Sequence, residues 1–210
     1  MPESTNDKAT ARSRFVNDRL TLGKYALRKA SSALVARLLQ APELSVSAPR
    51  RLLTVCAYAS FGTEPDTAAL IEALRERGVR VLLPVLLPDA DLDWAIYDGT
   101  LVPGRLGLQE PTGERLGIEA ISHADVVLVP ALAISPTGQR LGRGGGSYDR
   151  ALSRVTECQD SDPPCKRPWV CALVYDHELD AGFSVEAHDQ PVDAACAPSR
   201  LVRFTATRGH

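Results

Sequence analysis

The sequence predicts an α/β fold: one three-layer domain with a mostly parallel, open, Rossmann-like sheet and helices on both faces. Two observations carry this. Short apolar, β-rich runs such as "RLLTVCAY" and "VRVLLPVLLP" flank a segment of helical period, which is a βαβ unit. These runs are nearly continuous in their apolar character instead of alternating, as strands buried on both faces are. The length of 210 residues suits a single domain with a sizeable core, and we find no internal repeat or low-complexity domain.

Each element follows in order. Residues 1–10, polar throughout, are expected to be disordered, with the domain spanning 11–210. Ala11 to Gln40 has helical spacing, with Leu27, Leu34, Leu38 and Leu39 on one side, and Gly23 can divide it into two helices. Pro42 and Pro49 bracket a loop before the first strand. In "FGTEPDTAALIEALRERG", Thr63 or Asp66 can cap a helix whose apolar face is Leu70, Ile71 and Leu74 and whose stop is Gly78. In the 88–118 region, "LDWAIYDG" reads as a strand or hairpin and "RLGLQEPTGERLG" as a loop. "ADVVLVPALAI" is the most apolar strand. A helix from Ser147 to Cys158, a polar loop "QDSDPPCKRP", and strands "WVCALVY" and "LVRFTA" complete the chain.

Composition narrows the function. The 24 basic and 26 acidic residues give a net charge of −2, without the broad basic face of a nucleic-acid binder. The five cysteines show no CxxC spacing and read as reduced thiols, with Cys56 and Cys171 in core strands. The start carries no apolar leader and no run approaches a membrane span, so a cytoplasmic protein that does not engage membranes is expected. His123, His177, His188 and His210 form no nucleophile motif, and Ser135 lacks the context of a hydrolase elbow.

The stretch "QRLGRGGGSYDRAL" (139–152) places five glycines between arginines at the start of a helix. Glycines open the backbone to close approach by a ligand, and a helix N-terminus offers unpaired N–H groups and partial positive charge. Together they make an anion site, most often for phosphate, and Arg140 and Arg143 add full charges able to grip phosphate oxygens. The loop is not a Walker loop, because no lysine follows Gly146, and it lies too late in the chain for a dinucleotide fingerprint. Asp149, in the first helical turn, reads equally as a dipole-stabilised acid or as a magnesium ligand.

The longer string "LVPALAISPTGQRLGRGGGSYDRAL" resembles the signature of the 5-formyltetrahydrofolate cyclo-ligase (5,10-methenyltetrahydrofolate synthetase) family, through Gly138, Arg140, Leu141, Gly142, Gly144, Gly146, Tyr148 and Asp149. "KYALRKA" is similar to the family's N-terminal K-x-x-x-R helix, giving Lys24 and Arg28. "YASFGTEPDTAALIEAL" resembles the segment holding a substrate-binding glutamate, here Glu64. "GLQEPTG" and "HDQPVDAAC" resemble later elements, the second supplying Asp189 and Asp193. Ser147 stands where many members have a second tyrosine, and Gly145 where some have lysine.

The resemblance implies an ATP-dependent cyclisation of 5-formyltetrahydrofolate to 5,10-methenyltetrahydrofolate with magnesium as cofactor. It implies that residues 140–148 (Arg140, Leu141, Gly142, Arg143, Gly144, Gly145, Gly146, Ser147, Tyr148) hold ATP phosphates, that Arg143 and Lys24 serve the transfer, and that Lys24 and Arg28 close over the nucleotide. Glu64 and Tyr148 are then expected at the folate, and Asp149 and Asp189 at the metal. A monomer is expected. The alternative is a catalytically inactive folate- or nucleotide-binding regulator on the same fold.

Overall fold

The computed structural model describes residues 7–45, 52–157, 166–186 and 189–205. Residues 1–6, most of the loop before the first strand, Cys158, Cys165, His188, His210 and the first part of the polar loop after Glu157 lie outside them. The helical region divides at Gly23, as its sequence suggests, into α1 (Lys8–Thr21) and α2 (Lys24–Leu38). The N-terminal expectation needs correction: Lys8, Ala9 and Thr10 are helical. Ala11 N–H closes the first turn on Asp7 O, and the Lys8 ammonium is anchored by acids from the far end of the chain.

The remaining elements are β1 (Thr54–Cys56), α3 (Ala68–Glu76), β2 (Arg80–Leu86), β3 (Leu92–Ile96), β4 (Leu101–Pro103), β5 (Gln109–Pro111), β6 (Val126–Pro130), β7 (Ala133–Ile134), β8 (Arg140–Leu141), α4 (Ser147–Glu157), β9 (Trp169–Leu173), β10 (Ala194–Cys196) and β11 (Leu201–Arg203). Asp66 Oδ1 accepts the Ala68 N–H and so secures the start of α3. The stretch expected as a loop between Arg105 and Gly117 contributes β5, which pairs with β4 as a hairpin (Leu101↔Pro111). Strands of three residues carry too little periodicity to announce themselves. The same holds for β10, whose Ala-Ala-Cys sequence lacks any β-branched run.

The main sheet has the order β11-β10-β9-β6-β1-β2-β3. The five central strands are parallel, and the edge strands β11 and β3 are antiparallel to their neighbours. Side chains alternate between two cores. Val127 and Val129 of β6 join Ala151, Leu152 and Val155 of α4 on one face, while Val126 and Leu128 join Leu34 and Leu38 of α2 and Leu70, Ile71 and Leu74 of α3 on the other. The three-layer expectation therefore holds. At 11 residues α4 is too short to be stable alone, and burial of Leu152 and Val155, each about 1.5–3 kcal/mol, holds it in place. Among the described residues no helix is long and apolar enough to cross a membrane.

Strand order reverses between β1 and β6. From β1 the chain runs outward to β2 and β3, then returns to β6 and continues the other way through β9 and β10. Open α/β sheets hold ligands in the crevice beyond the carboxyl ends of strands at such a reversal.

Candidate active site

A cavity of about 230 Å³ lies at this crevice. Tyr58 and Ala59 follow β1, Pro84 and Leu86 belong to β2, and Pro130 to Leu132 end β6; all line it. The glycine loop forms the opposite wall, from Gly142 through Asp149.

The β7–β8 hairpin delivers that loop. Gly138, at φ +83, turns the chain, and Ser135 Oγ accepts the Thr137 and Gln139 N–H groups. Arg140 then turns inward with a side chain only 3% exposed; its Nη2 meets Asp149 Oδ1 at 2.5 Å and its Nη1 meets Pro130 O at 3.4 Å. Arg140 is thereby the strut that ties the loop to the start of α4, and it lies 5.8 Å from the Tyr148 ring centre. A side chain at position 142 would put its Cβ 2.6 Å from Arg140 Nη1, so the strut demands glycine there. Gly144 (φ +98) and Gly146 (φ +70) occupy the left-handed region that L side chains rarely adopt.

Across the cavity, Glu64 is positioned by accepting the Phe61 N–H at 2.9 Å. Arg143, 46% exposed at the mouth, donates Nε to Glu64 Oε1 at 3.2 Å, which joins the loop to the opposite wall. Tyr148 packs against both cores. Burial, reinforced by the Glu64 charge, pushes its phenol far up, so it is a neutral hydrogen-bonding group.

A second, smaller cavity of about 70 Å³ lies on the other side of the same loop and is shared by Gly142, Gly144 and Gly146. Lys8 and Arg12 enter it from α1. Arg12 Nε donates to Gly142 O at 3.0 Å, and Lys8 Nζ lies 2.7 Å from Asp189 Oδ2 and 2.9 Å from Glu186 Oε2. Burial works against the Lys8 charge, but the hydrogen bonds it donates to Asp189 and Glu186 outweigh it and hold the ammonium above its ordinary pKa. Asp149 and Asp189 both line this cavity. No cluster of three metal-ligating side chains exists among the described residues. Each of these two carboxylates is paired with a cation, Asp149 with Arg140 and Asp189 with Lys8.

Of the residues singled out in the sequence, 140–149 and Glu64 converge on these cavities, and Asp189 joins them. Leu141 contributes backbone only, since its side chain is buried against Ala11 and Phe15. Lys24 and Arg28 do not arrive. They are exposed on α2, which packs on the sheet through Leu34 and Leu38, and they line neither cavity. The break at Gly23 sends α2 elsewhere and leaves α1 at the loop. The same K-x-x-x-R spacing, Lys8 to Arg12, occurs there in "KATAR", inside the stretch expected to begin in disorder. Asp193 pairs with Arg167 and accepts the Val170 N–H, a structural role. Arg19 and Tyr58, which also line the large cavity, carry no motif.

A model of the 5-formyltetrahydrofolate cyclo-ligase family matches residues 4–198. The 5-formyltetrahydrofolate cyclo-ligase of Mycolicibacterium smegmatis is 43% identical over 153 residues, covering 70% of this chain and 74% of that protein. The cyclo-ligase of Escherichia coli K12 is 35% identical over 152 residues, covering 70% and 79%. In architecture, the NMR structure of Aquifex aeolicus 5,10-methenyltetrahydrofolate synthetase matches with a TM-score of 0.75 over 97% of this chain and 95% of that one, at 23% identity. The loop signature, the crevice at the strand reversal and these likenesses agree, and the chain belongs to the 5-formyltetrahydrofolate cyclo-ligase family.

Proposed function

We propose that the protein closes 5-formyltetrahydrofolate to 5,10-methenyltetrahydrofolate at the expense of ATP. One observation carries the reading: a single cavity has the glycine loop as one wall and a carboxylate with apolar surroundings as the other. A phosphate-bearing and a ring-bearing substrate can therefore meet inside it. The formyl oxygen is a poor leaving group. It attacks the γ-phosphorus of ATP, an O–P bond forms, and ADP departs. N10 of the folate then attacks the activated carbon. The new C–N bond closes the ring, N10 loses its proton, and the C–O bond breaks with release of phosphate.

Such a transfer depends on positioning and charge stabilisation. Backbone N–H groups of Gly142 to Ser147 and the N-terminus of α4 cradle phosphate oxygens. Lys8 and Arg12 supply positive charge from α1, the role that the family resemblance gave to Lys24 and Arg28. Arg143, the loop's exposed cation, leaves Glu64 for the transferring phosphoryl group, and Glu64 then accepts hydrogen bonds from the folate ring. Asp149 and Asp189 would hold magnesium, which when bound neutralises charge on the phosphates. The buried thiols of Cys56, Cys171 and Cys196 suit a reducing, cytoplasmic setting.

The test is absorbance of the methenyl product with purified protein, 5-formyltetrahydrofolate and magnesium, with and without ATP. A rise that requires ATP is expected. Binding of both substrates without any rise would replace this reading with that of a non-catalytic binding protein.

A further inference from the structure

Two residues that line the inner side of the large cavity each carry a polar atom that the protein itself leaves unmatched. Arg19 is 1% exposed. Its Nε and Nη2 are spent on Glu178 at 2.6 and 2.8 Å, and Nη2 also donates to Ala131 O at 2.6 Å. Its Nη1 is buried with no partner among the described residues, and so is the hydroxyl of Tyr58, a residue 3% exposed. Both residues line the cavity, as does Arg140 on the glycine-loop side, whose Nε is likewise buried without a partner. Buried polar groups are almost always hydrogen-bonded, so two unmatched atoms on one cavity wall point to a ligand.

We propose that Arg19 Nη1 and Tyr58 Oη hold the ring carbonyl oxygen of the folate, making them specificity-determining residues; this rests on the folate reading above. The chemistry of the pair selects the group. A guanidinium only donates. Burial holds the Tyr58 phenol neutral, so it too has a proton to give. Two donors call for an acceptor. Charge then excludes an anion. Glu178 cancels Arg19, and the Glu64 acid of the same cavity acts on both Arg19 and Tyr58. Even with Arg143 against Glu64 and Arg140 against Asp149, the three cations and three acids only balance. A neutral carbonyl fits where a phosphate or carboxylate does not. The folate's aminopyrimidinone edge offers that carbonyl beside an N–H and an amino group, and the carboxylate of Glu64 accepts from those.

The experiment compares equilibrium binding, without ATP, of 5-formyltetrahydrofolate and its 2,4-diamino analogue, in which an amino group replaces the ring carbonyl. The wild-type protein should prefer the carbonyl ligand by on the order of a hundredfold. Tyr58→Phe keeps the ring, loses only the unmatched hydroxyl, and should narrow that preference about tenfold, with ATP binding unchanged. The paired change Arg19→Met with Glu178→Leu removes both buried charges at once and should narrow it as well. If the wild-type protein binds neither ligand, the folate reading itself fails. If it binds folate but does not discriminate, or if Tyr58→Phe leaves the ratio unchanged, the carbonyl assignment is wrong while the folate reading stands. Weakened ATP binding in Tyr58→Phe would instead give the pair to a phosphate and overturn the proposal.

Discussion

The buried pair between Arg19 and Glu178 gives the sharpest stability prediction. Glu178 is 0% exposed and accepts three hydrogen bonds, from Arg19 Nε, Arg19 Nη2 and the Tyr175 N–H. Glu178→Gln keeps the shape and removes the charge. The amide oxygen can serve one side, but the amide NH2 then faces another donor, either the guanidinium or the Tyr175 N–H. Breaking one member of a buried pair leaves an uncompensated charge, at about 3–5 kcal/mol. For a chain of this size about 2–4 °C of Tm follows each kcal/mol, so a fall of about 6–20 °C is expected. Urea unfolding followed by the fluorescence of Trp94 and Trp169 measures it, with the midpoint shifted and the slope unchanged. The control is Arg19→Met with Glu178→Leu, which removes both charges and should return to within about 2 kcal/mol of the wild-type protein. A single-variant cost below about 1 kcal/mol would refute the reasoning, because it would mean that water reaches the pair.

Four further outcomes follow from the site. Arg143→Ala removes an ion pair at the cavity mouth, so stability should change by less than about 1 kcal/mol, while kcat should fall about a hundredfold or more; equal losses in both would refute its role. Lys8→Ala and Arg12→Ala should each raise the KM for ATP, whereas Lys24→Ala and Arg28→Ala should leave steady-state kinetics within about twofold, since those side chains project into solvent from α2. Gly144→Ala forces a Cβ onto a backbone at φ +98, which should cost about 1–2 kcal/mol and weaken ATP binding, as calorimetry would read. The last concerns pH. The folded-state pKa of Lys8 lies above its ordinary 10.5, so its contribution to stability is complete below 10.5 and disappears as pH rises through the folded value. Alkaline unfolding should therefore be shallower above pH 10.5 in Lys8→Met than in the wild-type protein.

What the sequence disclosed depended on whether a residue type was dictated locally. The glycine loop was legible because its backbone dictates its residues: Gly144 and Gly146 sit at positive φ, and Gly142 yields to the Arg140 side chain. The sheet was legible wherever strands were long and apolar, as in β2 and β6, and illegible at β5 and β10, where three residues carry no period. The pair beside the glycine loop, Lys8 and Arg12, was not the one the resemblance named, because two helices carry the same K-x-x-x-R spacing. The choice between them rests on Glu186 and Asp189, 178 and 181 residues from Lys8, and such separations leave no local trace.

A subtler signal was present nonetheless. The buried face of α1 is Lys8, Ala11, Phe15 and Arg19, spaced three or four residues apart as the core stripe of an amphipathic helix should be. Its two inner members are apolar and pack on Leu132, Leu141 and Phe183. Its two outer members are cations, which a helix buries only where partners wait. Those partners lie at different cavities: Asp189 at the small one beside the glycine loop, and Glu178 behind the Arg19 side chain that lines the large one. Residues 8 and 19 are about 16 Å apart along an ideal helix, so one helix reaches both cavities. A charged residue at each end of an otherwise apolar stripe is thus the mark of a helix that does more than cover a core. Here α1 contributes a cation to each of the two cavities.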